Sequence, residues 1–155
     1  MLSQQSELME IDTQTIVDRI FANALHSKTK LSIANAALGV IASGSLIIHR
    51  LGRGLALACD LDDKHAIKQV DRLLSNNNFA VCELFLTWVE YVIGDRKEIN
   101  VTMDWTDFDA DKQATICLNL VTTHGRATPL LWKTVLKKNL KNNRNNYEDE
   151  ILCML

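Results

Sequence analysis

Asp104, Asp107 and Asp109 stand close together in the chain, separated by Trp105, Thr106 and Phe108. The residues leading into them alternate, with Ile99, Val101 and Met103 on one side and Asn100, Thr102 and Asp104 on the other. That period of two marks a β-strand with one buried face. A carboxylate fixed where a strand leaves its core is suited to hold a divalent cation. Magnesium takes hard oxygen ligands in near-octahedral geometry, usually one or two of them from protein carboxylates. Acids at a strand end or turn also serve simply to solvate it. Spacing alone leaves both uses open.

Basic residues offer a second chemistry. Lys64, Lys68 and Arg72 recur every four residues, so they share one face of a helix. Further on, Lys133, Lys137, Lys138, Lys141 and Arg144 lie among asparagines in the most basic local stretch. Either group could contact phosphates, adding affinity without reading base sequence. The plain alternative is a solvated surface face. His65 has no partner His or Cys at metal-ligand spacing and reads as a surface histidine.

A resemblance favours the functional uses. Met103-Asp104-Trp105-Thr106-Asp107-Phe108, followed by Thr122-Thr123-His124-Gly125-Arg126-Ala127-Thr128-Pro129-Leu130-Leu131-Trp132, resembles bacterial insertion-sequence transposases of the insertion-sequence-four family. The similarity continues from Leu140 to Glu150, and the stretch Lys64 to Asn76 resembles the segment that precedes the catalytic domain. The resemblance implies an RNase H-like catalytic domain with a DDE triad, in which Asp104 is the first catalytic aspartate and a metal ligand. It implies two Mg²⁺ ions, about 3.5–4 Å apart in such sites, that support phosphodiester cleavage and strand transfer. DNA is then the implied partner, at the terminal inverted repeats of the element, with a homo-oligomer possible.

In that family the second aspartate and the glutamate come from segments well downstream that this chain lacks. Asp107 and Asp109 are too near Asp104 to replace them. One carboxylate binds hydrated Mg²⁺ only weakly. The expectation is therefore a transposase fragment that contacts DNA and does not cleave it unaided.

Composition narrows the other possibilities. The chain has 155 residues, 47% of them hydrophobic, which suffices for one ordinary domain or two small ones. Its formal charge of −2 carries no global nucleic-acid signature, so any such contact must be local. Cys59, Cys82, Cys117 and Cys153 form no Cys-x-x-Cys pair, which fits free thiols in a reducing, cytoplasmic setting. The acidic, polar opening residues do not form a signal peptide. Nucleophilic hydrolases are disfavoured because Gly-x-Ser-x-Gly is absent, and Gly52-Arg53-Gly54 lacks the rest of a phosphate-binding loop.

The elements that must position these residues divide in two. Residues 1–94 read as a helical, DNA-contacting region, and residues 95–155 as the opening of a mixed α/β catalytic domain: an α+β fold. Leu8, Ile11, Thr15, Ile16, Ile20, Phe21 and Leu25 suggest one apolar stripe from Ser6 to His26, with Lys28 and Lys30 as closing charges. A second helix is expected from Ser32 to about Ser43. Leu31 to Ile48 is only modestly apolar for a lipid-spanning segment, and Ala34, Ala37 and Ala42 suit close packing between helices, so no membrane contact is expected.

Gly44-Ser45 should break the chain, a short helical piece should reach Arg50, and Gly52 and Gly54 should punctuate the stretch beyond it. Asp62 and Asp63 open a further helix that closes at Ser75-Asn76-Asn77-Asn78. Ala80 to Gly94 forms an apolar helix on Val81, Leu84, Phe85, Trp88, Val89 and Val92. Next come three strands joined by short turns, with Pro129 marking the third as an edge or as a strand beginning. Acidic Tyr147 to Glu150 begins a last short helix, whose Ile151, Leu152, Met154 and Leu155 would need more protein to cover them. A competing reading makes the chain a small helical interaction protein with no nucleic-acid role.

Overall fold

A computed structural model describes residues 2–76, 81–123 and 125–155, with side chains from residue 10 onward apart from those of residues 82 and 83. The expected loop residues Asn77 and Asn78, the start of the apolar helix at Ala80, the turn residue His124, and the side chains of Leu8 and Cys82 lie outside this description. The fold is α+β, with six α-helices and one three-stranded antiparallel sheet among the described residues. The chain forms two compact units, residues 1–81 and 82–155. The division falls just inside the start of the apolar helix, whereas the sequence pattern placed it at Gly94.

The first unit is a stack of helices: α1 (Leu2–Ile20), α2 (Ser27–Ser43), α3 (Ile48–Cys59) and α4 (Asp63–Leu74). On α1 the buried line is Thr13, Val17 and Ile20, while Ile11 and Ile16 face solvent. The stripe expected through Ile11 and Ile16 is thus displaced around the helix. The helix also stops at Ile20, because His26 starts a new one: its Nδ1 accepts the Lys28 N–H at 3.3 Å. Gly44 closes α2 in the left-handed conformation (φ 58°), a position that costs a side chain strain.

Gly52 and Gly54 do not punctuate the chain. They lie inside α3, at its crossings with its neighbours. A Cβ at Gly52 would sit 2.6 Å from the Ile67 Cα, and one at Gly54 would sit 2.7 Å from the Gly39 carbonyl oxygen. Gly39 faces the Leu51 carbonyl with equal closeness. Absence of side chains lets α3 approach α2 and α4 at backbone distance, over a core of Leu38, Leu51, Leu55, Ala56, Ala66 and Val70. Asp62 caps α4, accepting the His65 N–H at 3.2 Å. No single helix among the described residues is long and apolar enough to cross a membrane, and α2 and α3 meet at 96°.

The second unit begins with α5 (Val81–Ile93), followed by β1 (Val101–Phe108), β2 (Gln113–Val121), β3 (Ala127–Leu136) and α6 (Arg144–Leu152). The sheet order is β1-β2-β3, so β1 and β3 are edges, and Pro129 lies on an edge as its missing N–H requires. Alternation is visible in burial: Ala114, Ile116, Leu118 and Leu120 are buried, and the residues between them are not. Phe85 and Val89 of α5 join Ile116, Leu118, Leu120, Leu130, Leu131 and Ile151 in one core. That shared core is why α5 belongs with the sheet. The Trp88 Nε1–H also donates to the Pro129 carbonyl at 2.8 Å. The apolar side of α6 finds partial cover, since Ile151 is buried and Met154 packs beside it, while Leu152 and Leu155 stay exposed.

Candidate functional site

Two surfaces hold the residues that the sequence singled out. The first is the outer face of the sheet. Its alternating positions are Thr102, Asp104 and Thr106 on β1, Thr115, Cys117 and Asn119 on β2, and Trp132 and Thr134 on β3. Asp104 is exposed at mid-strand on an edge, with Cys117 as its register partner. Its Oδ1 accepts the Trp105 N–H at 2.9 Å. The Cys117 Sγ–H donates to Asn119 Oδ1 at 3.3 Å, and the Thr115 and Thr134 hydroxyls bond at 2.8 Å. Burial pushes the Cys117 thiol up from its ordinary range, and the negative charge of Asp104 adds to this. The thiol therefore stays protonated and is a poor nucleophile at neutral pH.

Asp107 and Asp109 are engaged elsewhere. Both bind the Lys137 ammonium, Asp107 at 3.4 Å, which pins the β1–β2 turn to the end of β3. Their bonds, that to Asp109 foremost, hold the Lys137 ammonium above the usual lysine range. Among the described residues no three of His, Cys, Asp and Glu converge where a metal ion could sit. Asp104 alone does not fit a two-magnesium centre, which needs carboxylates from several directions.

Two further basic residues of this unit, Lys133 and Arg144, are spent on packing. Lys133 pairs with Glu150 and lies 5.3 Å from the centre of the Tyr147 ring. The Arg144 guanidinium lies 5.2 Å from the Trp105 ring centre, while the Trp105 Nε1–H donates to Glu148 at 2.8 Å. These contacts clasp α6 onto the sheet. Lys138 and Lys141 are exposed.

The second surface is a groove of 610 Å³ in the helical unit. One wall is the start of α2, with Lys28, Thr29 and Ser32. The other is α4 and the residues just beyond it, with His65, Lys68, Gln69, Arg72, Leu73 and Asn76. No carboxylate lines it. Lys68 and Arg72 of the expected helix face are both here, and Lys64 lies outside the lining. Lys28 was missed because the sequence pattern made it a closing charge of the first helix. With α2 beginning at Ser27, it belongs to an opening turn instead. Lys30 does bind Asp18, at 3.0 Å.

The chain matches no protein-family model, no curated protein and no solved structure.

Proposed function

We propose that this chain is a DNA-binding part of an insertion-sequence transposase of the DDE type, with its catalytic carboxylate set incomplete. The observation that carries the reading is the position of Asp104: an exposed carboxylate on the first strand of an antiparallel meander. That is where the resemblance puts the first acid of an RNase H-like active site. Asp104 would contribute one ligand to the Mg²⁺ pair of such a site. The neighbouring acids are held by Lys137, so these residues do not make the metal centre by themselves. What the chain itself supplies is phosphate contact, through Lys68 and Arg72 in the groove and through Lys138 and Lys141 on the sheet unit.

The DNA around the reading frame provides the test. Short inverted repeats should flank it, and the protein should hold a labelled duplex with an affinity that falls steeply with added salt. Lack of repeats together with absent or salt-insensitive duplex binding would overturn the reading. In a strand-cleavage assay with Mg²⁺ or Mn²⁺ the isolated chain should leave these ends intact. Cleavage that disappears in Asp104→Asn would mean that the carboxylate set is complete after all.

A protein-interaction role is favoured by one feature, the exposed apolar residues of the helical unit. Leu46 is 81% exposed and Leu57 83% exposed. Under that reading DNA binding would be absent, and a polar substitution at Leu57 would abolish association with a partner.

A further inference from the structure

The helical unit gathers cations from two distant stretches of chain and places no acid among them. Lys28 comes from α2, while Lys68 and Arg72 come from α4. Among the described residues none of the three forms an ion pair, although the same unit pairs Lys30 with Asp18 and Arg53 with Asp63. Like charges brought together without compensation repel one another, so the arrangement disfavours the empty groove and favours a polyanion in it. Lys68 and Arg72 stand one helical turn apart, about 6 Å along the axis. A repeating row of cations suits a polymer with repeating charge. Apart from Leu73 the remaining lining residues carry polar side chains, and Gln69 belongs to the side-chain types that bond phosphate oxygens in nucleic-acid complexes. No Phe, Tyr or Trp is among the residues that line the groove, so the large rings on which successive bases stack in single-strand sites do not line it.

We infer that the groove between the start of α2 and α4 seats the phosphate backbone of duplex DNA, with Lys28 as a contact equal in weight to Lys68 and Arg72. The inference rests on the proposal above for the identity of the polyanion, and on the groove alone for the site. Binding here is independent of base sequence. It positions the duplex and leaves readout to other parts of the complex.

The test is fluorescence anisotropy of a short labelled duplex with the full chain, titrated at several salt concentrations. Three phosphate contacts should weaken binding about 40-fold between roughly 50 and 200 mM salt. Lys28→Ala, Lys68→Ala and Arg72→Ala should each lower the slope of log affinity against log salt by about one. Lys97→Ala, at an exposed position on the other unit, should leave it unchanged. All three positions are on the surface, so circular dichroism should show wild-type folding.

Duplex binding whose slope survives all three groove substitutions would overturn the site and leave the DNA reading standing. Competition by poly-glutamate as strong as by duplex would overturn phosphate recognition, and a clear preference for single strands would overturn the duplex form. Absence of any binding would sink the groove, while the flanking repeats decide the transposase assignment separately.

Discussion

The two units differ in where they leave positive charge unanswered. In the sheet unit Lys133, Lys137 and Arg144 each meet an acid or an aromatic ring, and the result is structural: a fixed turn and a clasped terminal helix. In the helical unit, backbone-to-backbone contact at Gly39, Gly52 and Gly54 does much of the holding. Its side-chain cations are correspondingly free of structural duty at Lys28, Lys68 and Arg72. Basic density along a chain is therefore a poor guide to which cations a fold leaves open. The stretch richest in Lys and Arg is partly consumed by folding, and a sparser set drawn from two helices lines the open groove.

The largest effect that could break this contrast is on the glycine contacts. Gly52→Ala puts a methyl group 2.6 Å from the backbone of Ile67, and that backbone has little freedom to give way. Overpacking of this kind costs up to about 3 kcal/mol, and the better helix propensity of Ala returns about 1 kcal/mol. A net loss of about 2 kcal/mol, on the order of 30-fold in the unfolding equilibrium, is expected. Urea unfolding followed by far-ultraviolet circular dichroism measures it. Gly94→Ala, on the other unit, meets open space and carries only the left-handed strain of its φ of 57°, about 1–2 kcal/mol. If Gly52→Ala were the milder of the two, close approach would not be what holds the helices.

Next in size is the DNA contrast. Removing Lys68 and Arg72 together should flatten the salt dependence by about two in slope, roughly a tenfold difference in affinity change across the same salt range. Removing Lys137 and Arg144 together should do far less, because Lys137 already answers Asp107 and Asp109 and Arg144 covers the Trp105 ring. Lys138→Ala and Lys141→Ala sharpen the comparison, since those exposed lysines could still meet phosphates. Equal losses from both units would mean that pairing within the fold does not withdraw a cation from DNA.

The strands were legible because a half-buried sheet writes its period directly into the sequence. Ile99, Val101 and Met103 pack inward and Thr102 and Asp104 outward, as alternation requires. The opening of α4 at Asp62 and Asp63 and the break at Gly44 were legible for the same local reason. The contacts that pattern could not show are those made across distance. Nothing local distinguishes a glycine that ends a helix from one that lets another helix touch it, so Gly52 and Gly54 read as breaks. Nor does apolar periodicity say which core a helix joins, and α5 packs on the strands that come after it. The groove needs Lys28 beside Lys68 and Arg72. That meeting depends on α2 starting several residues earlier than its apolar pattern suggests.

The smallest effects are in the pH dependence of stability, where the two units should fail at opposite ends. In the helical unit Asp18 is held below the ordinary carboxylate value of 3.8, first by the Gln14 amide at 2.9 Å and then by Lys30. A lowered folded-state value means that its contribution is present above the ordinary value and is lost as pH falls through the lowered one. In the sheet unit Lys137 is held above 10.5, chiefly by Asp109 and then by Asp107. Its contribution is present below that ordinary value and is lost as pH rises through the raised one. Asp18→Asn should therefore flatten the acid limb read by circular dichroism. Lys137→Met should flatten the alkaline limb read by tryptophan fluorescence, since Trp88, Trp105 and Trp132 all lie in the sheet unit. Both groups are partly open to solvent, so the shifts should be small and should shrink further with added salt. An alkaline limb unchanged in Lys137→Met would show that the turn between β1 and β2 holds without its lysine.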